Sequence, residues 1–281
     1  MKTDRFLLLT GGILAFIIIL ILLYSAAFLC AIVTNIPSTD SSKMMEKDFV
    51  YTGNLTGFDY AELNVSNING KITLIPGEDD DYTFEIHARG TEKEFERLVV
   101  DYRESDALGV KTLSLLIRDK MDDDLRFNDR LVSDITITLP ANKTYNMLVF
   151  DVNGNINIGE FDCNRVISST VNGRLTSEAS AGYAELITVN GDVEVTTEST
   201  SGSILVTTVN GDILIYIPKN SEFYVDANTA VPKREPISIN VPVETVTSNM
   251  FTLVGNSPGY DGTGLKIYAN AVNGDIRIRG I

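Results

Sequence analysis

The phrase Val-Asn-Gly returns along this chain at intervals near 20 residues, and this repeat constrains the fold more than any other feature of the sequence. In the stretch Val152 to Asp212 the Asn residues of successive copies are spaced 19, 18 and 20 residues apart. These residues are Asn153, Asn172, Asn190 and Asn210. Two outlying copies, Ile68-Asn69-Gly70 and Val272-Asn273-Gly274, flank the stretch. A regular period of this length is typical of proteins built from stacked structural repeats.

After each copy, apolar and polar residues alternate, which is the pattern of a half-buried β-strand. Apolar residues occupy the position before each Asn and the second position after each Gly, and we expect both sets to point inward. The two sets are Ile68, Val152, Val171, Val189, Val209 and Val272, and Ile72, Ile156, Leu175, Val193, Ile213 and Ile276. The polar residues at alternate positions, Thr170, Thr188 and Thr208 among them, are expected to face solvent.

The Asn-Gly pair has two possible structural roles. In a β-hairpin it forms a two-residue turn, and in a solenoid it forms a corner at which Gly permits the backbone conformation. The regular spacing favours the solenoid, and an antiparallel sandwich is the alternative. The predicted fold is therefore all-β, a single-stranded β-helix or β-solenoid with coils of about 20 residues, preceded by one N-terminal transmembrane helix.

In this predicted fold the Asn-Gly pairs are structural corners, and the Asn amides of equivalent corners stack and bond from coil to coil. The predicted corner residues are Asn69, Gly70, Asn153, Gly154, Asn172, Gly173, Asn190, Gly191, Asn210, Gly211, Asn273 and Gly274.

The N-terminal segment Phe6–Val33 is 28 residues long and carries no charge. About 20 apolar residues span a bilayer, and the apolar region of a cleavable signal peptide has only about 7–15. We therefore predict an uncleaved single-pass anchor in the cell membrane. Lys2 and Arg5 precede it, so the positive-inside rule leaves the N-terminus in the cytoplasm and the domain outside.

The sequence divides into three predicted parts. Residues 1–34 are the anchor, residues 35–48 are a polar linker, and residues 49–281 are the β-domain. Within the domain, residues 77–146 are an irregular or capping part and residues 147–218 hold the regular coils. Residues 219–281 hold irregular coils and the terminal repeat.

Charge and cysteine content exclude several classes of protein. The net charge is −15, and because the anchor segment contributes +1, the remainder carries −16. Binding to nucleic acid or to anionic headgroups needs a basic patch, which this balance disfavours. Cys30 lies in the apolar segment and Cys163 in the repeats, so no disulfide framework is expected.

Carboxylates recur in the repeat at Asp192, Asp212 and Asp275, where a stacked set could bind calcium. Other copies hold Lys71 or Arg174 at the same position, so a solvated corner is the favoured interpretation.

His87 is the only histidine, and no nucleophile motif accompanies it. We accordingly predict no catalytic, cofactor-binding or metal-binding residues.

Asn54 and Asn142 begin acceptor sequons for N-glycosylation, which matter only if the host glycosylates exported proteins. A third, at Asn64, falls within a predicted strand and is less favourable.

The copies VNGDV and VNGDI at Val189–Val193, Val209–Ile213 and Val272–Ile276 resemble those of the "putative adhesin" family. An upstream strand ending in Leu139-Pro140 and the N-terminal membrane segment belong to the same resemblance, which covers Phe49–Ile281. The resemblance implies a β-solenoid surface domain of bacteria or archaea, and it brings no catalytic residues.

The expected function is that of a non-enzymatic, membrane-anchored surface protein with an adhesive or envelope-structural role. An envelope sensor, a polymerising scaffold and a polysaccharide-active β-helix enzyme are the alternatives. The expected partners are the lipid bilayer, through Phe6–Val33, and a surface glycan or an envelope protein, but not nucleic acid.

Overall fold

The structure is a computed structural model that describes residues 43–119, 131–231, 237–249 and 251–281. The predicted anchor Phe6–Val33 and most of the predicted linker lie outside these ranges. Within them, no helix has the length and apolar character needed to span a bilayer. The first strand begins at Met44, inside the predicted linker.

Within these described ranges nearly every regular element is a β-strand, as the alternating sequence predicts. In chain order the strands are β1 (Met44–Asn54), β2 (Tyr60–Ser66), β3 (Ile72–Gly77), β4 (Asp81–Thr91), β5 (Leu98–Ala107), β6 (Val110–Asp119), β7 (Val132–Pro140), β8 (Thr144–Phe150), β9 (Ile156–Ile158), β10 (Asp162–Asn172), β11 (Leu175–Ser177), β12 (Ser180–Asn190), β13 (Val193–Thr196), β14 (Gly202–Asn210), β15 (Ile213–Ile217), β16 (Phe223–Thr229), β17 (Ile237–Ile239), β18 (Glu244–Ser248), β19 (Thr252–Asn256), β20 (Leu265–Asn273) and β21 (Ile276–Gly280). One helical turn, α1 (Glu92–Phe95), follows β4.

Within the described residues, the strands form two large mixed sheets. Sheet A has ten strands in the order β1-β4-β7-β3-β9-β11-β13-β15-β21-β17. Sheet B has eleven strands in the order β18-β19-β16-β20-β14-β12-β10-β8-β2-β6-β5. The two sheets enclose one continuous hydrophobic core, to which alternate side chains of both sheets contribute.

The Val-Asn-Gly repeat builds the middle of both sheets. Each copy joins a strand of sheet B to a strand of sheet A, so that β8, β10, β12 and β14 pair in parallel in one sheet. Strands β9, β11, β13 and β15 do the same in the other sheet. The register is regular, and Asn172, Asn190 and Asn210 lie directly beside one another.

The prediction of a single-stranded β-solenoid is wrong, because the strands on either side of the repeats leave the coil pattern. Antiparallel pairs join β1 to β4, β4 to β7, β5 to β6, β16 to β19 and β18 to β19. Strand β20 lies between β14 and β16, out of chain order. Long-range pairing therefore produces two mixed sheets, which a local period cannot reveal.

The expected direction of one set of side chains is also wrong. Thr170, Thr188 and Thr208 are 3%, 0% and 0% exposed and point into the core, although they were expected to face solvent. The apolar residues before each Asn, such as Val189, are only partly buried. The corner interrupts the period of two, so the strands before and after it have opposite phases. The set after each Gly, exemplified by Val193, is buried as expected.

Candidate functional site

The Asn residues of the repeat form a row along the corner that joins the two sheets. Each Nδ2 donates to the Oδ1 of the Asn in the neighbouring copy, at distances from 2.6 to 2.8 Å. The row runs from Asn69 through Asn153, Asn172, Asn190 and Asn210 to Asn273. At its first end Asn69 Nδ2 donates to the carbonyl oxygen of Leu131 at 3.3 Å. The expected amide bonds are therefore present, and they hold successive corners together.

The Gly residues of the corners are needed for close packing of the backbone. A Cβ on Gly191 would overlap the carbonyl oxygen of Gly173, the equivalent residue of the neighbouring copy. The same overlap would occur at Gly154, Gly173, Gly211 and Gly274. Gly70 also has a φ of 123°, a conformation that favours glycine. The row thus has no room for a side chain on its glycines.

A second row lies beneath the first, inside the core. The hydroxyl of Thr188 donates to the carbonyl oxygen of Gly173 at 3.1 Å, and Thr208 donates to Gly191 at 2.9 Å. Thr170 makes the equivalent bond to Gly154 at 3.1 Å. A buried hydroxyl that donates to a carbonyl is satisfied, which explains why a polar residue occupies this inward position.

Asp151 takes the place of this Thr in its own copy. It is 5% exposed, and its Oδ1 accepts the backbone N–H of Val152 at 2.7 Å. Its Oδ2 is buried and has no partner among the described residues, and it lies on the same side of Gly154 as the carbonyl oxygen of Gly70. Burial, reinforced by the charge of Asp134, raises the pKa of Asp151 to about 7. A protonated Oδ2 can donate to a carbonyl as the Thr hydroxyls do.

The carboxylates considered for calcium form a backbone ladder instead. Asp192 Oδ1 accepts the N–H of Asp212 at 2.8 Å, and Asp212 Oδ1 accepts that of Asp275 at 2.9 Å. Asp275 Oδ2 also binds the guanidinium of Arg277 at 2.9 Å. Across the described residues, His, Cys, Asp and Glu side chains form no group of three able to hold a metal ion.

The other singled-out polar residues lie apart from one another. His87 Nδ1 lies 2.6 Å from Asp48 Oδ1 on the exposed face of sheet A. Asp80 lies in the acidic run Asp79-Asp80-Asp81 and binds Lys143 at 2.9 Å. A similar run, Asp122-Asp123-Asp124, lies outside the described residues. Cys163 is buried, and burial raises its pKa to about 12.

Asn54 and Asn142, the two sequon residues, are exposed at the same rim of the molecule. Asn54 Nδ2 donates to Asp81 Oδ1 at 2.6 Å, and Asn142 Nδ2 donates to Asp80 Oδ1 at 3.3 Å. Among the residues that the structure describes, nothing packs over either side chain, so both are sterically open to modification.

Tyr82, Tyr102, Glu104 and Lys111 form a tight polar cluster at the end of the molecule. Tyr102 donates to the Tyr82 hydroxyl at 3.0 Å, Tyr82 donates to Glu104 at 2.9 Å, and Lys111 binds Glu104 at 2.6 Å. The Lys111 hydrogen bond lowers the pKa of Glu104, while burial raises the pKa of both tyrosines. Glu104 is therefore ionised and the tyrosines neutral near pH 7, which suits a structural network better than acid–base exchange.

The broadest feature that the sequence analysis missed is the outer face of sheet B. Register places its outward side chains at three levels across six adjacent parallel strands, β2, β8, β10, β12, β14 and β20. The first level is Glu62, Asn146, Arg165, Tyr183, Ser203 and Lys266. The second level is Asn64, Leu148, Ile167, Glu185, Leu205 and Tyr268. The third level is Ser66, Phe150, Ser169, Ile187, Thr207 and Asn270.

Aliphatic and aromatic groups on this face lie partly open to solvent. Phe150 and Leu116 are each 38% exposed, and together with Leu148 they line a shallow groove of about 160 Å³. The matching outward row of sheet A is mostly polar and runs through Val50, Glu85, Thr136, Thr73, Asn157, Thr176, Glu194, Leu214 and Arg277. The outer face of sheet A also exposes Val50 and Ile75, but these lie on strands that are not neighbours, whereas Leu148 and Ile167 of sheet B lie side by side.

A sequence signal for this face does exist. In β8, Met147 and Val149 point inward while the intervening Leu148 points outward, so apolar residues occupy both phases of the strand. Ile187 interrupts the alternation of β12 in the same way. Apolar residues in both phases indicate a strand that is apolar on both sides, but the period alone leaves open which side is the core.

The fold is similar to that of a solved bacterial protein. A protein named "putative cell adhesion protein" from Clostridium sporogenes matches with a TM-score of 0.51 and 14% identity, over 84% of this chain and 100% of that chain. A "putative adhesin" from Bacteroides fragilis matches with a TM-score of 0.29 and 16% identity, over 86% of this chain and 98% of that chain. No family model and no curated protein matches the sequence. At this identity the first likeness establishes a shared fold.

Proposed function

We propose that this chain is a non-enzymatic surface protein that acts in adhesion, with the outer face of sheet B as its adhesive surface. The observation that carries the proposal is the apolar content of that face, where Leu148, Phe150 and Ile187 lie partly exposed. Apolar side chains that lie next to one another on an exposed face commonly mark an interaction surface. The name of the Clostridium sporogenes protein, which refers to cell adhesion, supports the same role.

The proposal includes the placement inferred from the sequence. Phe6–Val33 anchors the chain in the cell membrane, with the N-terminus in the cytoplasm and the β-domain on the outer side. Asp192, Asp212 and Asp275 engage backbone N–H groups or Arg277, and Glu104 engages Lys111, so these carboxylates have structural roles that need no substrate.

Attachment of intact cells tests the proposal. Cells that produce the full chain should attach to each other or to a surface more than cells without it, and Ile167→Glu should remove the gain. This change puts a charge at the centre of the adhesive face, whereas Thr176→Glu, its control, puts one on the outer face of sheet A.

Protease added to the same intact cells should cleave the domain and remove the gain in attachment. Equal attachment by cells with Ile167→Glu and cells with Thr176→Glu would contradict the adhesive role of the face. Protection of the domain until the membrane is breached would contradict the placement.

A further inference from the structure

We infer that the partner of the outer face of sheet B is the same face of a second copy of this chain, which makes the adhesive contact self-complementary. The inference rests on the proposed function and names its partner. Two sheets packed face to face would bury Leu148 and Leu205 of both copies against each other, as in a β-sandwich.

The size of the face fits such a contact. The width of the face comes from six strands about 4.8 Å apart, and its height from three levels that lie two residues apart on strands rising about 3.3 Å per residue. Together they define a flat area on the order of 600 Å². Side-chain relief and the flanking strand β6, which carries Leu116, enlarge this area. A stable protein interface buries about 800 Å² on each partner.

The charge of the face also fits a second copy. The whole chain carries −15, so two copies repel each other in general. Across its three levels, however, the face balances Glu62 and Glu185 against Arg165 and Lys266. This local neutrality lets the two faces approach without the repulsion that the rest of the surface would cause.

The register defines how the charges meet. A two-fold axis that runs along the strands, midway between β10 and β12, places β2 against β20 of the second copy and β8 against β14. Glu62 then faces Lys266 of the other copy, and Leu148 faces Leu205. Symmetry repeats both pairs, so each contact occurs twice.

The two charged residues are available for such a pairing. Among the described residues, Lys266 lies within 4.0 Å of no carboxylate, and Glu62 accepts only long bonds of 3.4 Å from Tyr60 and Thr112. Arg165, which lies over the ring of Tyr183 at 5.6 Å, faces Tyr183 of the other copy in the same arrangement.

Charge reversal tests this arrangement on the full chain in detergent, with mass measured by analytical ultracentrifugation. Wild-type chain should dimerise, and Glu62→Lys or Lys266→Glu should each weaken the dimer about tenfold, because both symmetric pairs become repulsive. An equimolar mixture of the two variants should recover the dimer, since every pair in the mixed dimer is again attractive. Glu85→Lys, an equal charge change on the outer face of sheet A, is the control and should have no effect.

Misfolded variants could not form a dimer when mixed. Recovery of the dimer therefore shows that each variant lost an intermolecular contact and not its fold. A wild-type chain that stays monomeric at about 100 µM while cells still attach would overturn self-association and leave the adhesive role standing. The inference would also be overturned if both charge-reversal variants dimerised as tightly as the wild type, or if mixing the two variants did not restore the dimer. A monomer that binds neutral lipid vesicles or a glycan through this face would assign a different partner and overturn the inference.

Discussion

At the scale of single residues, the inward position before each corner explains the chemistry of the repeat. Thr170, Thr188 and Thr208 fill it with a hydroxyl that donates to a neighbouring Gly carbonyl. Asp151 fills the same position with a carboxyl group, which can donate only when it is protonated. The raised pKa of Asp151 is the physical consequence of burying an acid at this inward position.

This position predicts a pH-dependent stability. The folded pKa of Asp151 is about 7, against an ordinary value of 3.8, so between about pH 4 and pH 7 the folded chain retains a proton that the unfolded chain has released. The free energy of unfolding should therefore fall as pH rises through this window, by up to about 4 kcal/mol, and level off above it. Asp151→Thr should remove this contribution and be more stable than wild type at pH 8.

Urea unfolding of both chains at pH 4, 6 and 8 measures the effect, and the gap between them should widen with pH. Asp192→Asn, a change at an exposed carboxylate, should leave the dependence of the unfolding free energy on pH as it is in the wild type. If the unfolding free energies of wild type and Asp151→Thr changed with pH in parallel, the raised pKa would not belong to Asp151.

At the scale of elements, the corners determine how closely successive strands pack. Gly191 lies against the Gly173 carbonyl, and the Asn row and the Thr row hold that spacing from outside and inside. The corner also reverses which alternate residues point inward. That reversal is why Val189 is partly exposed and Thr188 is buried.

We expect Gly191→Ala to destabilise the chain by at least about 2 kcal/mol, because its Cβ would overlap backbone that cannot move without separating two strands. Gly182→Ala in the same repeat is the matched control, since its Cβ would meet only the Asn164 carbonyl, at 3.2 Å. Thermal unfolding followed by circular dichroism compares them. Equal melting temperatures for the two variants would mean that the corner can relax.

At the scale of the whole molecule, the sheet edges limit how copies can assemble. The edge strand β1 carries consecutive charges at Glu46, Lys47 and Asp48, and the edge strand β5 carries Asp101, Arg103 and Glu104. Charges on an edge oppose strand-to-strand pairing with another chain. At β1 and β5 the structure thus opposes growth of either sheet from its edge.

Removing the charges of β1 should release that restraint. The double variant Glu46→Val with Asp48→Val should form species larger than a dimer, visible as fast-sedimenting material, while the wild type does not. Glu85→Val with Glu194→Val, on strands that are paired on both sides, controls for the lost charge. Filaments of the wild-type chain would show that the charged edges do not prevent pairing.

The sequence by itself determined the β class, the strands that follow the repeats and the Asn-Gly corners, because alternation and turn chemistry are local properties. It also predicted the amide row from Asn69 to Asn273, since equal spacing brings equal residues together. Only the tertiary structure decided that the strands form two mixed sheets. That outcome depends on antiparallel pairing between distant segments, such as β1 with β4 and β4 with β7.

The tertiary structure also decided which faces are buried. A period of two assigns residues to two sides of a strand but does not say which side meets the other sheet. Thr188 is therefore inside and Leu148 outside, against their usual polarity, because the path of the chain through the corners sets the phase of each strand. The adhesive face proposed for sheet B follows from that phase.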